Sequence, residues 1–165
     1  MTSGPTPRSV IFLDVDGPLI PFQRRRTGAA RTPSADTAGN PLLDRLDPAD
    51  GRRLLALGGE LVWATTWGEE ANEVVAPRLG LPVLPVVQWP EEDGEPERGL
   101  HWKTVALVRW AAGRSFVWLD DEVTDVDRRW VAAHHPGRAL LHRVDPRAGL
   151  AEADFAAVSR WLGAA

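Results

Sequence analysis

Cysteine and tyrosine are both absent from this chain of 165 residues, and methionine occurs once. Without cysteine the chain forms no disulfide, holds no thiolate zinc site and has no thiol nucleophile. Long apolar runs are also missing: no segment is long enough to cross a bilayer, and residues 1–9 lack the apolar core of a signal peptide. We therefore expect a cytoplasmic protein that has no membrane partner.

An excess of positive charge is lacking as well, since the formal net charge is −4 at pH 7. This balance argues against a protein that coats nucleic acid through bulk electrostatics, although it leaves room for a local basic patch. The contents of 44% hydrophobic and 25% charged residues are those of a soluble globular protein. The length suits one domain, which we place over residues 1–165 with its core at 8–165.

Short apolar runs alternate with helix-like segments, which predicts an α/β fold on a mostly parallel sheet. Strands are predicted near 9–15, 61–65, 83–88, 115–120 and 139–144, and helices near 48–58, 69–79, 102–112, 124–134 and 151–162. Two further intervals, 19–46 and 88–100, are too short to hold an independent lid. We expect them to be loops beside the active site and expect no large cap domain.

Two aspartates follow the first apolar run. Residues 10–13 read as a strand buried on both faces, and Asp14 and Asp16 come directly after it, before Gly17 ends the strand. Carboxylates at this spacing lean the same way and repel each other. Such a pair indicates a bound cation, or chemistry that needs one acid and one nucleophile. The alternative is a pair of solvated turn aspartates.

A second apolar run repeats this pattern. Residues 116–119 lead into Asp120 and Asp121, and Asp125 follows shortly after. Functional groups gather at the carboxyl ends of the strands in open parallel sheets, so the two runs predict one acidic pocket suited to Mg²⁺. The alternative is that Asp120 and Asp121 cap the helix that follows.

Hydroxyl and ammonium groups lie between the two acidic motifs in the sequence. The predicted strand near 61–65 ends in Thr65 and Thr66, and Lys103 begins a helix-like segment. A phosphoryl site uses such groups beside its metal, one as a hydrogen-bond donor and the other as a compact positive charge. Taken singly, Thr65 could be an ordinary strand threonine and Lys103 an ordinary surface lysine. A functional site is favoured by their order along the chain, between the two acidic motifs.

Three further residues are candidates for substrate binding. Arg24 and Arg25 belong to an arginine run after the first motif. Their guanidinium groups are suited to binding phosphate; the alternative is a solvated run of charge at the surface. Trp67 follows the threonines and has the surface to stack a base, although packing is the more ordinary role.

The order of these motifs resembles that of the haloacid dehalogenase (HAD) superfamily of phosphotransferases. The four motifs correspond here to the segment 14–17, Thr65, Lys103 and the pair Asp120 and Asp121. The segments 63–68 and 118–122 are similar to the subfamily that forms a domain in RNA-repair proteins. The resemblance implies a minimal-cap, three-layer, Rossmann-like fold whose five strands lie in the order 3-2-1-4-5.

The resemblance also implies roles for individual residues. Asp14 would be the nucleophile that forms an aspartyl-phosphate, and Asp16 would act as general acid and base. Thr65 and Lys103 would bind the phosphoryl oxygens, and Thr66 beside Thr65 is a further candidate for substrate binding. Mg²⁺ would be held by Asp14, by the backbone carbonyl of Asp16 and by Asp121, with Asp120 and Asp125 in support of the metal site.

Four functions compete for this pattern. The favoured one is a Mg²⁺-dependent phosphatase for a phosphorylated substrate, with nucleic-acid ends or nucleotides as candidates. A dehalogenase is disfavoured, because it does not need a second motif aspartate and Asp16 is present here. The motif order argues against a signalling receiver domain, which carries its acidic pair on the first strand and its acceptor aspartate in mid-chain. A catalytically idle phosphate-binding or nucleic-acid-binding module on the same fold is the remaining alternative.

Overall fold

The computed structural model of the protein describes residues 8–23, 41–90 and 99–164. Its strands form one parallel sheet: β1 (Val10–Leu13), β2 (Glu60–Trp63), β3 (Phe116–Asp120) and β4 (Ala139–Arg143). Their order across the sheet is β2-β1-β3-β4, so β1 is central, with β2 and β3 as its neighbours. The predicted α/β class and the central place of the first strand are confirmed.

Helices connect the strands close to where the sequence predicts them. They are α1 (Pro48–Ala56), α2 (Ala76–Leu79), α3 (Thr104–Ala111), α4 (Asp125–His134) and α5 (Glu152–Gly163). A 3₁₀ helix at Pro41–Arg45 precedes α1, and a π-helix at Ala71–Val75 runs into α2. The start of α1 follows from its sequence, because the Asp47 carboxylate accepts a hydrogen bond from the Ala49 amide at 3.0 Å.

Side chains of the central strand alternate between two hydrophobic cores. Ile11 and Leu13 face one core, to which α1, α2 and α5 contribute, while Val10 and Phe12 face the other, formed with α3 and α4. All four side chains are fully buried, because helices cover both faces of the sheet. The result is a three-layer α/β/α architecture in which the carboxyl ends of the strands meet at one edge.

One predicted strand is not present. Residues 83–88 form no strand and pair with β2 through a single bridge between Val86 and Trp63. Pro82 and Pro85 have no amide hydrogen to donate, so a regular ladder cannot extend along this edge. The five-strand order 3-2-1-4-5 is therefore not confirmed, and the described residues form four strands.

The two predicted loops are described only in part. Residues 24–40 and 91–98 lie outside the described residues, and with them the predicted substrate ligands Arg24 and Arg25. Within the described ranges, no helix combines the length and the apolar character that a bilayer crossing requires.

Candidate active site

Three carboxylates meet at the carboxyl edge of the sheet. Asp14 directly follows β1, Asp120 is the last residue of the neighbouring strand β3, and Asp121 comes next. Each offers an oxygen atom, and these atoms lie within 4.8 Å of one another. Parallel pairing of β1 with β3 brings them together, because the amide of Asp14 bonds to the Leu119 carbonyl at 3.2 Å. The predicted acidic pocket therefore contains Asp14, Asp120 and Asp121.

Lys103 supplies positive charge to this cluster. Its side chain is buried just before α3, and its Nζ donates to Asp120 Oδ2 at 3.0 Å and to the Ala64 carbonyl at 2.9 Å. The same Nζ lies 3.3 Å from Asp14 Oδ1. An ammonium group has three donors, and each has an acceptor here. Lys103 thus binds two of the three carboxylates and connects them to the end of β2.

Two carboxyls of the cluster have raised pKa values, and burial is the main cause in both. Burial raises the pKa of Asp14 to about 7, despite the opposing effect of Lys103. Burial, together with the nearby Asp120, raises the pKa of Asp121 to about 6. A divalent cation would relieve both effects, because it favours the ionised carboxylates. The all-oxygen donor set is the one that Mg²⁺ prefers.

Asp120 is held in place by its own strand and by Lys103. Trp118 Nε1 donates to its Oδ2 at 3.2 Å, and the Glu122 amide donates to its Oδ1 at 3.0 Å. It does not cap the next helix, since Thr124 is the N-cap of α4. The capping alternative from the sequence is therefore excluded. Because both Asp120 oxygens accept hydrogen bonds, Asp14 and Asp121 are better placed to bind a metal directly.

Gly17 creates space for the Asp121 carboxylate. Its φ is +101°, a conformation that side chains of L-residues rarely adopt. A Cβ atom at this position would lie 2.8 Å from Asp121 Cγ, closer than carbon atoms can approach. The glycine of the Asp-x-Asp-Gly motif is therefore needed both for the turn after β1 and for the position of Asp121.

Asp16 contacts the other side of the site. Its carboxylate is exposed, and Oδ2 accepts a hydrogen bond from Trp67 Nε1 at 3.1 Å. Thr65 has no exposed surface, and its Oγ1 accepts from the Trp67 amide at 3.2 Å, whereas Thr66 is exposed. Trp67 is half-buried and packs against the core. Its indole group thus orients Asp16, a contact that the sequence did not reveal.

Asp125 lies apart from the acidic cluster. Its Oδ1 forms an ion pair with Arg128 Nη1 at 2.7 Å along the surface of α4, and its side chain is 80% exposed. It belongs to neither group of potential metal ligands found among the described residues. The structure thus places Asp125 at the surface of α4, outside the group of three carboxylates with which the sequence analysis associated it.

A buried network behind the site was missed by sequence reasoning. The Asp127 carboxylate accepts hydrogen bonds from the His101 amide at 2.8 Å and the Thr104 hydroxyl at 2.7 Å, and also from Thr124. Burial alone would raise the pKa of Asp127, but these hydrogen bonds lower it overall. Asp127 therefore joins the start of α4 to the segment that contains Lys103. An aspartate three residues after a threonine indicates a capping box, but not contacts to another helix.

His101 completes this network. Its Nδ1 accepts a hydrogen bond from the Lys103 amide at 3.1 Å, so the ring proton is on Nε2, which lies 2.9 Å from Glu122 Oε2. His101, Asp120 and Glu122 form a second group of potential metal ligands. Because both ring nitrogens of His101 have partners, its role here is to hold the backbone of Lys103.

Tryptophan rings border Lys103 on its outer side. Its Nζ lies 5.5 Å from the ring centroid of Trp102 and 6.0 Å from that of Trp89. Trp89 Nε1 donates to the Thr65 carbonyl at 3.0 Å, which ties this aromatic pair to the end of β2. Sequence reasoning could not select these residues, because tryptophan occurs eight times and serves as the general aromatic residue of this chain.

Comparison with known families adds to this geometry. A family model described as "HAD domain in Swiss Army Knife RNA repair proteins" matches residues 10–155 of the chain. No curated protein and no solved structure matches the chain. The matched range runs from β1 into α5 and includes the whole acidic cluster together with Lys103. It bears out the superfamily that the motif order indicates and the RNA-repair subfamily within it.

Proposed function

The chain belongs to the family of HAD domains in Swiss Army Knife RNA repair proteins, and we propose that it is a Mg²⁺-dependent phosphatase acting through an aspartyl-phosphate. Its proposed substrates are phosphomonoesters on nucleic-acid ends or nucleotides. One observation carries the proposal: the buried Asp14 carboxylate lies 3.3 Å from Lys103 and within 4.8 Å of carboxylate oxygens of Asp120 and Asp121. A module that only bound phosphate or nucleic acid would gain nothing from a buried carboxylate beside its lysine, because the carboxylate repels an anionic ligand.

The proposed reaction has two steps. An oxygen of Asp14 attacks phosphorus, so that a bond to the carboxylate forms while the bond to the leaving-group oxygen breaks. Asp16 donates its proton to the leaving oxygen. It then takes a proton from the water that hydrolyses the aspartyl-phosphate, which regenerates Asp14 and releases phosphate.

The contact between Trp67 and Asp16 supports this assignment. The indole N–H keeps Asp16 Oδ2 as an acceptor, so the transferable proton would be on Oδ1. The Asp16 carboxyl is also exposed, as a group that must meet both the leaving oxygen and water should be.

The donor set fits Mg²⁺, as the carboxylate spacing and the raised pKa values indicate. Asp14, Asp121 and the backbone carbonyl of Asp16 would hold the ion, and Asp120 would support it by holding Lys103. When bound, Mg²⁺ supplies positive charge that stabilises the phosphoryl oxygens during transfer.

The remaining proposed roles concern the phosphoryl group. Lys103 lies 3.3 Å from Asp14 and would exchange one of its hydrogen bonds for a phosphoryl oxygen. Thr65 and Thr66, which follow β2, would add hydroxyl groups to this binding set, and Thr66 is exposed. Arg24 and Arg25 stay a prediction, since they lie outside the described residues. We propose that the domain covers residues 1–165, with the intervals 19–46 and 88–100 next to the site.

Replacing the nucleophile tests the proposal. Asp14→Asn should lower the rate of 4-nitrophenyl phosphate hydrolysis in Mg²⁺ by at least about 10³-fold, because an amide cannot form the acyl phosphate. Asp125→Asn is the matched control and should leave the rate unchanged, since Asp125 pairs with Arg128 at the surface. A wild-type protein that hydrolyses no phosphate across a panel of oligonucleotides, nucleotides and sugar phosphates would instead indicate an idle binding module.

A further inference from the structure

The exposure of Trp102 sets it apart from the other tryptophans of the chain. All eight tryptophans lie within the described residues, and seven of them are buried or half-buried. Trp102 is 47% exposed. A single exposed apolar residue is ordinary on a protein surface. The location of Trp102, rather than its exposure alone, indicates a function.

Trp102 lies beside the proposed catalytic centre. Lys103 Nζ is 5.5 Å from the Trp102 ring centroid and 3.3 Å from Asp14 Oδ1. The ring therefore lies no farther from the nucleophile than these two distances added together. When a phosphate group is held at Asp14, the organic group attached to it lies within reach of this ring. In a nucleotide, that organic group includes the base.

The Trp102 ring is held in a fixed orientation. It meets the Trp89 ring edge-on, with centroids 4.8 Å apart and planes at 74°, and it stacks against His101 at 5.6 Å and 29°. Both neighbouring rings are themselves anchored, that of Trp89 to the Thr65 carbonyl and that of His101 to the Lys103 amide and Glu122. A ring that is already ordered loses little conformational entropy when it binds a ligand.

We propose that Trp102 is a stacking platform for the nucleobase that adjoins the phosphate removed at Asp14. Planar nucleobases stack on aromatic side chains regardless of sequence, because every base presents a π-face. This inference rests on the proposed phosphatase function and narrows its substrate to phosphomonoesters that carry a nucleobase. The sequence suggested a stacking role for Trp67, which is half-buried and donates to Asp16, whereas Trp102 is 47% exposed.

Paired substrates with and without a base test this inference. Adenosine 5′-monophosphate and a 3′- or 5′-phosphorylated oligonucleotide carry the base, and ribose 5-phosphate lacks it. Trp102→Ala should raise KM roughly tenfold or more for the base-bearing substrates while leaving ribose 5-phosphate unchanged. Trp102→Phe should restore most of the loss. A KM effect on the oligonucleotide alone would identify nucleic-acid ends as the source of the base, and an effect on both would include free nucleotides.

Trp161→Ala provides the matched control. Trp161 lies on α5, where its ring faces Arg138, and it packs into the core on the face of the sheet opposite α3. Its removal should change KM for no substrate. If Trp102→Ala changes KM equally for ribose 5-phosphate and adenosine monophosphate, or for neither, the stacking platform is refuted while the phosphatase stands.

A binding measurement separates the two proposals. The Asp14→Asn variant should bind a fluorescently labelled, phosphorylated oligonucleotide without turnover. Adding Trp102→Ala should weaken that binding roughly tenfold, the same factor as for KM. If the wild type hydrolyses nothing and this loss is still seen, the phosphatase proposal fails and the platform survives. Equal binding with and without Trp102 would overturn the platform.

Discussion

Gly17 is the residue at which backbone conformation and the acidic site depend most directly on each other. Gly17→Ala would place a methyl group against Asp121 Cγ and strain a φ of +101°. We expect the free energy of unfolding to fall by about 1–3 kcal/mol. We also expect half-maximal activity to require a higher Mg²⁺ concentration, because Asp121, a proposed Mg²⁺ ligand, must move. Urea denaturation and a Mg²⁺ titration of phosphatase rate measure the two effects.

Gly58 provides the control for this prediction. Its φ is +78°, but a Cβ there would meet nothing within 4 Å. Gly58→Ala should therefore lose similar stability through strain alone and keep the wild-type Mg²⁺ dependence. If the two variants respond to Mg²⁺ alike, the contact between Gly17 and Asp121 does not position the metal ligand.

Helices α3 and α4 are joined at their starts by one carboxylate. Asp127→Asn should lower the free energy of unfolding by about 1–3 kcal/mol, because the amide replaces an oxygen that accepts from His101 and Thr104. It should also lower kcat, since the same segment carries Lys103. Chemical denaturation and steady-state kinetics measure these changes. The hydrogen bonds lower the pKa of Asp127, so its stabilising effect is present above the ordinary aspartate pKa and is lost as the pH falls.

Asp125 lies in the same first turn of α4 and serves as the control. Asp125→Asn removes an exposed ion pair and a favourable charge near the helix start, which are together worth a few tenths of a kcal/mol. Equal losses from Asp125→Asn and Asp127→Asn would show that the helix dipole, rather than the bonds to α3, accounts for the effect.

The stability of the molecule as a whole should depend jointly on pH and Mg²⁺. Without metal, the raised pKa values of Asp121 (about 6) and Asp14 (about 7) mean that ionising these groups disfavours folding. Their contribution to stability is therefore fully present below the ordinary aspartate pKa of 3.8 and is lost as the pH rises to about 7. Mg²⁺ binds the ionised form, so it should raise Tm more at pH 8 than at pH 5.

Thermal unfolding with and without Mg²⁺ at the two pH values measures this linkage. Asp121→Asn should remove most of the Mg²⁺ effect, because it deletes one proposed Mg²⁺ ligand. The contacts of Asp14 and Asp120 with Lys103 do not involve Asp121 and stay in place. A Mg²⁺-induced shift in Tm that is the same at pH 5 and pH 8 would be incompatible with a metal site built from Asp14 and Asp121.

Local patterns were sufficient to predict most of the elements. The apolar runs at 10–13 and 116–119 indicate strands buried on both faces, and both are strands in the structure. The strand predicted at 83–88 is wrong, because Pro82 and Pro85 lack the amide donors that an extended ladder needs. Apolar character marks burial, whereas strand formation also requires hydrogen-bond partners.

The site was predictable to the extent that strand ends determine it. Asp14 and Asp121 could be placed together, since parallel neighbouring strands deliver their next residues to one edge. Asp125 could not be separated from them, because the direction of a side chain on a helix depends on where that helix packs. Trp67 and Trp102 likewise differ only through their tertiary neighbours.

The α/β class, the places where strands end and the acidic chemistry at those ends could be inferred before any coordinates, because they depend on local composition and spacing. The contacts of Lys103 with Asp14 and Asp120, and the exposure of Trp102, became visible only in the folded chain. Desolvation and hydrogen bonding act between residues far apart in the chain, so packing sets them rather than spacing.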